Sequence, residues 1–306
     1  MTEVVVAIPT FRRPRSLALL LERLPGAVPG AAIVVADNDG ERCEGAAVVQ
    51  GFQKRGYPHP LEVINVTERG IAHARNALVA RALSADPRFI AMIDDDERPL
   101  DGWLETLLEV QASTRSHVVG GPVVRKFEAP VPKHLENANN YGPGRCKTGV
   151  VELIDATSNV LFDADVFRET PAPWFDPFFT LTGGEDKDFM TGLLLQGRKF
   201  AWADDARVEE TMPTSRCSTR WALQRAFSAG NSDMLINLKR HPPGFGVASE
   251  SAKLAGAFGF AMLNLVLLPF IPSRRYDGLR LMARVIGKLS AVMGHRHLEY
   301  LTTHGS

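Results

Sequence analysis

Short, largely apolar runs alternate with amphipathic segments along the first third of the chain. The runs end at turn or polar residues, as strands buried on both faces of a sheet do; they lie at residues 4–8, 33–36, 61–66 and 89–93. Between them, apolar residues recur at helical spacing, at Leu17, Leu20, Leu21 and Leu24, at Ile71, Ala74, Leu78 and Ala82, and at Trp103, Leu104, Leu107 and Leu108. This alternation predicts an α/β fold with a doubly wound, mostly parallel sheet.

Polar side chains follow each predicted strand. Thr10 and Arg12 follow the first strand, Asp37 and Asp39 the second, and residues 94–97, Asp-Asp-Asp-Glu, the fourth. Since ligands of such sheets bind beyond the carboxyl ends of the strands, we expect these side chains to line one crevice. Four adjacent carboxylates repel one another, which favours a Mg²⁺ or Mn²⁺ ion with a phosphorylated substrate. A solvated acidic turn is the alternative.

The second half of the chain is less regular. A strand is predicted over residues 117–124, although Gly120, Gly121 and Pro122 interrupt it. Residues 126–147 predict a long loop of the kind that covers a site or receives a second substrate. A helix that begins after Ser218 is predicted to end near Gly230.

A second acidic stretch lies at residues 182–190. Gly183 and Gly184 allow the backbone to approach a ligand closely, and Glu185, Asp186 and Asp188 fall in the first turn of a predicted helix. These acids either face a ligand or complement the helix dipole, and the pattern by itself leaves both interpretations open.

The C-terminal region carries a long segment without charge, residues 254–272, followed by Arg280, Arg284 and Lys288 on one predicted helical stripe. A basic amphipathic helix beside an apolar segment favours contact with a membrane surface. Packing against the rest of the protein and a true membrane span are the alternatives.

Composition narrows the function classes. The 306 residues have a formal net charge of zero, which argues against a nucleic-acid partner. Three distant cysteines favour a reducing compartment. The first residues lack the features of a signal peptide, so we expect a cytoplasmic protein. No Gly-x-Gly-x-x-Gly and no Gly-x-x-x-x-Gly-Lys-Ser/Thr motif follows a predicted strand, which disfavours dinucleotide and P-loop sites.

Six motifs in order resemble those of glycosyltransferase family 2, the inverting nucleotide-sugar transferases. They are Val-Ala-Ile-Pro-Thr-Phe-Arg-Arg within residues 5–13, Val-Val-Ala-Asp-Asn-Asp at 34–39, Gly-Ile-Ala-His-Ala-Arg-Asn at 70–76, Ile-Asp-Asp-Asp-Glu at 93–97, Thr-Ser-Asn-Val-Leu at 157–161 and Gly-Gly-Glu-Asp-Lys-Asp-Phe at 183–189. Residues 208–216 and 221–230 look most like the bacterial exopolysaccharide subgroup, including succinoglycan-type glucosyltransferases.

The resemblance implies a GT-A fold, a Rossmann-like sheet flanked by helices. We expect a catalytic domain over residues 1–235, with a nucleotide-binding half at about 1–115 and an acceptor half at about 116–235. Residues 236–306 would form a helical, membrane-associating extension on the inner face of the cell membrane.

The resemblance also implies roles for single residues. Asp186 would be the catalytic base, and Asp96 would bind Mn²⁺ or Mg²⁺ at the donor diphosphate. The residues expected at the nucleotide sugar are Pro9, Thr10, Arg12, Asp37, Asp39, Arg75, Asp94 and Asp95. The residues expected at the acceptor or sugar are Trp103, Asn159, Glu185 and Glu210, the last where many members have a histidine.

The predicted function is transfer of a sugar from a UDP-sugar, UDP-glucose in the first instance. The acceptor would be a glycan or a polyprenyl-diphosphate-linked saccharide, and the product a β-glycoside of exopolysaccharide or surface glycan biosynthesis. A sugar-phosphate nucleotidyltransferase is disfavoured because Pro9-Thr10-Phe11-Arg12 is not a glycine-rich phosphate loop. A non-catalytic glycan-binding protein with the same fold stays open.

Overall fold

The computed structural model describes residues 3–136, 146–242, 244–267 and 270–298. The strands are β1 Val4–Thr10, β2 Ala32–Asp37, β3 Leu61–Asn65, β4 Phe89–Met92, β5 Glu97–Pro99, β6 Val118–Gly120, β7 Val123–Phe127, β8 Gly149–Val151, β9 Val160–Asp163, β10 Phe200–Trp202 and β11 Val208–Met212. The α-helices are α1 Pro14–Arg23, α2 Glu44–Lys54, α3 Ile71–Leu83, α4 Trp103–Thr114, α5 Asp165–Arg168, α6 Glu185–Leu195, α7 Thr219–Arg240, α8 Phe245–Leu267 and α9 Pro272–Val292.

The main sheet has eight strands in the order β3-β2-β1-β4-β9-β6-β10-β8. Neighbouring strands run parallel except where β9 pairs with β4 and β6 and where β8 pairs with β10. The prediction of a mostly parallel central sheet is therefore confirmed. Thr10 pairs with Asp37 across β1 and β2, so the polar ends of these strands meet at one edge, as the sequence predicts.

Apolar side chains cover both faces of this sheet because the central strands are apolar at consecutive positions. One face buries Val4, Val6 and Ile8 against α1, α2 and α4, and the other buries Val5 and Ala7 against α3 and α6. Two cores on opposite faces hold the strand ends rigidly, and the site is built on those ends.

A second, three-stranded sheet has the order β5-β11-β7. The single interrupted strand predicted over residues 117–124 is in fact two strands, β6 in the main sheet and β7 in this small sheet. The chain changes sheet at Gly121, where an added Cβ would lie 2.2 Å from the Ala206 carbonyl oxygen. In this sheet Glu210 of β11 pairs with Glu97 of β5 on one side and with Arg125 of β7 on the other.

Helix α7 continues ten residues beyond Gly230, so the predicted end near Gly230 and Asn231 is wrong. Both residues face α9 instead of a turn. An added Cβ on Gly230 would lie 2.2 Å from the Arg284 carbonyl oxygen, and the Asn231 amide donates to the Ser290 hydroxyl at 2.9 Å. The expected domain boundary after residue 235 consequently falls inside α7.

Two of the three cations in the basic stripe on α9 bind acids of neighbouring helices, which the sequence did not predict. Arg284 binds Asp233 of α7, and Lys288 binds Glu250 of α8. The outward side of α9 is apolar, with Ile286, Leu289, Val292 and Met293 exposed. Arg284 and Lys288 are directed toward the neighbouring helices because α7 and α8 supply their counter-charges.

Among the helices in the described ranges, none has both the length and the apolar character that crossing a membrane requires. The predicted loop at 126–147 and the uncharged segment at 254–272 are each described in part, because residues 137–145 and 268–269 lie outside the described residues.

Candidate functional site

A cavity of about 540 Å³ opens at the carboxyl ends of β1 and β4. This volume lies within the range of small-molecule sites in proteins. The residues from the predicted set that line it are Pro9, Thr10, Arg75, Asp94, Asp95, Asp96 and Glu210. The structure therefore brings together residues that are up to about two hundred positions apart in the sequence.

The carboxylates after β4 are held by hydrogen bonds from the loop after β1. Thr10 Oγ1 donates to Asp95 Oδ2 at 2.7 Å, and Arg13 Nη1 donates to Asp95 Oδ1 at 3.1 Å and to Asp96 Oδ2 at 2.7 Å. Burial raises the pKa of Asp95 to about 7, and repulsion by Asp96 adds to the effect. Burial also raises the pKa of Asp94. The floor of the cavity is thus rich in negative charge that Arg13 compensates in part.

The small sheet adds two further carboxylates to the wall. Glu97 is buried and accepts a hydrogen bond from the Asp94 backbone N–H at 3.0 Å. Glu210 lies 3.3 Å from Arg125 and 3.3 Å from Arg216. Burial raises the pKa of both, most strongly that of Glu97. Both residues line the cavity, Glu210 from the predicted set and Glu97 without having been selected from the sequence.

Arg75 of α3 joins the acidic floor to the start of α6. Its guanidinium binds Glu185, and Nη2 lies 3.6 Å from Asp94 Oδ1. Glu185 is 1% exposed, and burial raises its pKa to about 7, with repulsion by Asp186 adding and Arg75 opposing. Its Oε2 accepts no hydrogen bond from the described residues. Arg75 therefore sets the separation between two acidic stretches that are about ninety residues apart in the chain.

Asp186 lies in the first turn of α6, beside this bridge. It is partly exposed, and its charge contributes to the raised pKa of Asp94. Gly183 and Gly184 take left-handed φ values of 73° and 99°, which leads the chain into the helix. An added Cβ on Gly184 would lie 3.0 Å from Ser232 of α7, so the close approach that these glycines allow is to α7.

The residues beside Asp186 tie α6 to the C-terminal helices. Lys187 Nζ lies 2.8 Å from Asp233 of α7. Asp188 accepts hydrogen bonds from Lys239 at 2.6 Å and from Arg240 Nε at 2.8 Å. Asp188 is consequently a structural anchor, whereas Asp186 forms no ion pair with any of the residues that the structure describes.

Three residues expected at the nucleotide do not line the cavity. Asp37 is completely buried and accepts the backbone N–H groups of Ala46 at 2.8 Å and Asp39 at 3.1 Å. Arg12 binds Asp39 through Nε at 3.0 Å. In this structure Asp37 stabilises the start of α2, and Arg12 and Asp39 fix the loop beside it. The side chains that line the cavity here are Phe11, Asn38 and Arg69.

Trp103 and Asn159 lie in the core. Both are 0% exposed, and Trp103 Nε1 donates to Asn159 Oδ1 at 2.6 Å. The Asn159 amide also donates to the carbonyl oxygens of Pro122 and Ala206, at 3.1 Å and 2.8 Å. Neither side chain can reach a ligand in this arrangement. The expected contact with acceptor or sugar is replaced by a structural role, which joins α4, β9 and the turn between β6 and β7.

Sequence reasoning missed several residues of the cavity. Arg13 stands next to a selected residue in the loop after β1, so its position was the available signal. Phe11 and Asn38 likewise stand between selected residues. The others come from distant elements and carried no local signal: Arg69, Arg125, Arg216, Trp221, Gln224, Arg225, His297 and Leu298.

The donor atoms suit a hard divalent cation, because Asp94, Asp95, Asp96 and Glu210 offer carboxylate oxygens and such a cation would relieve their mutual repulsion. Within the described ranges, no three His, Cys, Asp or Glu side chains converge as a metal site requires. Arg13 lies between Asp95 and Asp96.

Comparisons with known proteins agree with this architecture. Two solved structures share the fold. The mannosyltransferase PcManGT from Pyrobaculum calidifontis, in complex with GDP-Man and Mn²⁺, has a TM-score of 0.63 at 16% identity and covers 95% of this chain and 87% of its own. S. aureus TarS 1-349, in complex with UDP, has a TM-score of 0.54 at 14% identity and covers 96% and 92%. The fold is thus GT-A-like, as predicted.

A sequence relative covers almost the entire chain. It is the "Succinoglycan biosynthesis protein ExoM" of Rhizobium meliloti (strain 1021), which is 28% identical over 305 residues and covers 96% of this chain and 94% of its own length. The model of "Glycosyl transferase family 2" matches residues 5–170, the part that contains β1, the acids after β4 and Arg75. The chain therefore belongs to glycosyltransferase family 2.

Proposed function

We propose that the protein is an inverting, metal-dependent glycosyltransferase that moves a sugar from a UDP-sugar, UDP-glucose in the first instance, to a glycan or a polyprenyl-diphosphate-linked saccharide. The product would be a β-glycoside of exopolysaccharide biosynthesis. The observation that carries the proposal is the Arg75 bridge, because it joins the acidic floor of the cavity to the first turn of α6, which carries the partly exposed carboxylate of Asp186. Family membership disfavours the nucleotidyltransferase alternative.

The nucleotide end of the donor fits the part of the cavity lined by Pro9, Thr10, Phe11, Asn38 and Arg69. Guanidinium groups of Arg13, Arg125 and Arg216 line the same cavity as the acids and can bind diphosphate oxygens, since their fork geometry matches phosphate. Asp96, with Asp94 beside it, would hold the Mn²⁺ or Mg²⁺ ion. The ion supplies Lewis-acid stabilisation of the leaving UDP.

Asp186 would act as the general base. Its carboxylate takes the proton of the acceptor hydroxyl while that oxygen bonds to the anomeric carbon, and the bond to the β-phosphate oxygen breaks. Attack from the face opposite UDP inverts an α-linked donor to a β-glycoside in one displacement. Lys187 and Asp188 keep the base in position, because their ion pairs fix α6 against α7.

The acceptor and the location remain part of the proposal. The likeness to a succinoglycan biosynthesis protein supports an exopolysaccharide acceptor. The apolar outward side of α8 and α9 supports peripheral contact with the cytoplasmic face of the cell membrane, where polyprenyl-linked saccharides would be presented.

UDP-glucose turnover with Mn²⁺ or Mg²⁺, with and without a chelator, tests the proposal. Wild-type protein should release UDP only with metal, and Asp96→Ala should lower turnover by about 100-fold or more, the order seen when one charge-stabilising group is removed. Asp101→Ala is the matched control, since Asp101 is an exposed carboxylate in the same segment that binds Arg23. Chelator-resistant turnover, or an active Asp96→Ala variant, would show that the metal role is wrong.

Asp186→Asn separates the base from binding. We expect UDP to bind as in the wild type while transfer falls by about 100-fold or more, as for loss of a general base. Thermal melting confirms that the isosteric variant is folded. Transfer near the wild-type rate in a folded variant would refute the assignment of the base.

A further inference from the structure

The chain turns back across α7 after the end of α9. One buried side chain, Asn231 of α7, holds this C-terminal tail, which we define as residues 295–298. The Asn231 amide donates to the His295 carbonyl oxygen at 2.9 Å, and its Oδ1 accepts from the His297 backbone N–H at 3.1 Å. The same amide donates to Ser290 of α9 at 2.9 Å, so α7, α9 and the tail share one anchor.

Two side chains of the tail pack on the protein. The Arg296 guanidinium carbon lies 3.9 Å from the ring centroid of Phe178, a short distance before α6 in the chain. The ring of His297 meets the ring of Phe227 of α7 edge-on, with centroids 5.3 Å apart. Aromatic and cation–π contacts of this kind favour one path of the tail.

This path leads into the active-site cavity. His297 and Leu298 line it together with Trp221, Gln224, Arg225 and Ser228 of α7. These four residues follow at intervals of three, one and three, so they form a single face of the helix. The wall made by α7 and the tail is separate in sequence from the loops after β1 and β2, which line the part assigned to the nucleotide.

We propose that His297 and Leu298 form part of the acceptor site, a role that rests on the proposed function. The imidazole can exchange hydrogen bonds with a sugar hydroxyl, and the Leu298 side chain, 41% exposed, offers an apolar contact to a sugar face or its lipid aglycone. Both side chains also exclude water from the anomeric carbon of the donor. Asn231 is a positioning residue, because it fixes the backbone of the tail and has no place in the lining of the cavity.

The acceptor side is favoured over the donor side by the connections of the tail. Through Asn231 the tail is attached to α7 and α9, and α9 carries part of the apolar outward surface. An acceptor with a lipid anchor would approach from that surface. The residues proposed for the nucleotide, by contrast, lie at the end of β1, in the loops after β1 and β2, and just before α3.

Water can replace the acceptor in a test that needs no knowledge of the natural acceptor. In this hydrolysis the water oxygen bonds to the anomeric carbon, the bond to the β-phosphate oxygen breaks, UDP leaves with the electron pair, and the proton passes to Asp186. The variants are His297→Ala and Leu298→Ala in the full-length protein. His295→Ala is the matched control, because His295 is an exposed histidine of the same tail whose contact with Asn231 is made by the backbone.

We expect both variants to bind UDP with wild-type affinity, measured by calorimetry, and to hydrolyse UDP-glucose faster. The rise should be roughly tenfold, the order by which one apolar contact in a substrate pocket changes a rate. His295→Ala should match the wild type in both measurements. Equal melting temperatures show that the substitutions leave the fold intact.

Two results would overturn the inference. Hydrolysis unchanged in both variants of a UDP-binding protein would mean that the tail does not shield the reaction. UDP affinity lowered in step with hydrolysis would assign the tail to the donor side. Failure of the proposed function would give a different result, namely a wild-type protein that binds no UDP. That result would also contradict the proposed acceptor site.

Discussion

Single carboxyl groups define the chemistry of this protein. Asp95 and Glu185 lie in different acidic stretches, yet burial raises the pKa of each to about 7. Both are held by a cationic side chain, Arg13 and Arg75 respectively. Burial therefore disfavours the charged form of both groups, which costs stability, and at Asp95 it prepares the cavity for a cationic or hydrogen-donating ligand.

This cost predicts a pH dependence of stability. Glu185 binds its proton more tightly in the folded protein than in the unfolded chain, where its pKa is about 4.5. Between about pH 5 and pH 7 the folded state therefore holds more protons, and the free energy of unfolding falls as pH rises. Glu185→Gln should flatten this fall when urea unfolding is measured at pH 5.5 and 7.5.

The exposed Glu109 provides the control. Glu109→Gln should keep the wild-type slope, and Asp95 should leave a residual slope in Glu185→Gln. A Glu185→Gln variant as pH-dependent as the wild type would contradict the assignment of the effect to this residue.

Helices α7 and α9 cross closely enough for backbone to meet backbone. An added Cβ on Gly287 of α9 would lie 2.1 Å from the Phe227 carbonyl oxygen, and Gly230 of α7 stands equally close to Arg284. Small residues permit this approach, and Asn231 then satisfies the polar groups at the crossing. Helix propensity alone disfavours glycine at these positions, so packing decides.

Gly287→Ala should therefore destabilise the protein by about 1–3 kcal/mol through overpacking, although alanine is the better helix former. Gly256→Ala in α8 is the control, because an added Cβ there meets nothing within 4 Å. That variant should be up to about 1 kcal/mol more stable than the wild type. Urea unfolding of both variants measures the difference, and a stabilising Gly287→Ala would show that the helices separate readily.

Among the described residues, α8, α9 and residues 270–271 between them form a surface with many exposed apolar side chains. Its members include Phe258, Phe260, Met262, Leu263, Val266, Phe270, Ile271, Ile286, Leu289, Val292 and Met293. Exposed apolar surface of this kind marks an interaction site. Arg274 and Arg275 are exposed beside it and suit anionic lipid headgroups.

Sedimentation with anionic phospholipid vesicles tests this surface. The wild type should bind, and the double variant Leu263→Glu, Val266→Glu should stay in the supernatant because two charges would have to enter the lipid interface. Leu195→Glu is the control, an exposed leucine at the end of α6. Binding that survives the double variant would place the contact elsewhere.

The sequence by itself determined strands β1 to β4 and helices α1, α3 and α4, because an apolar run or a helical period is a local property; α2 and β5 were not predicted. It also located the two acidic stretches, because Asp94, Asp95 and Asp96 on one side and Asp186 on the other stand in recognisable motifs. The family and the fold class followed from these local patterns, and the comparisons confirm both.

Only the tertiary structure decided which of these residues face the cavity. The sequence predicts Asp37 at the nucleotide and Trp103 and Asn159 at the acceptor or sugar. In the structure their polar groups are bound by other parts of the protein, for example Asp37 by the Ala46 N–H and Asn159 by the Ala206 carbonyl oxygen. The orientation of Arg284 and Lys288 on α9 is likewise set by their ion pairs with Asp233 of α7 and Glu250 of α8. The environment of a side chain is set by segments that are distant in the chain. A local sequence pattern therefore predicts the helix or strand to which a residue belongs, but it does not predict whether the side chain faces the cavity, the core or solvent.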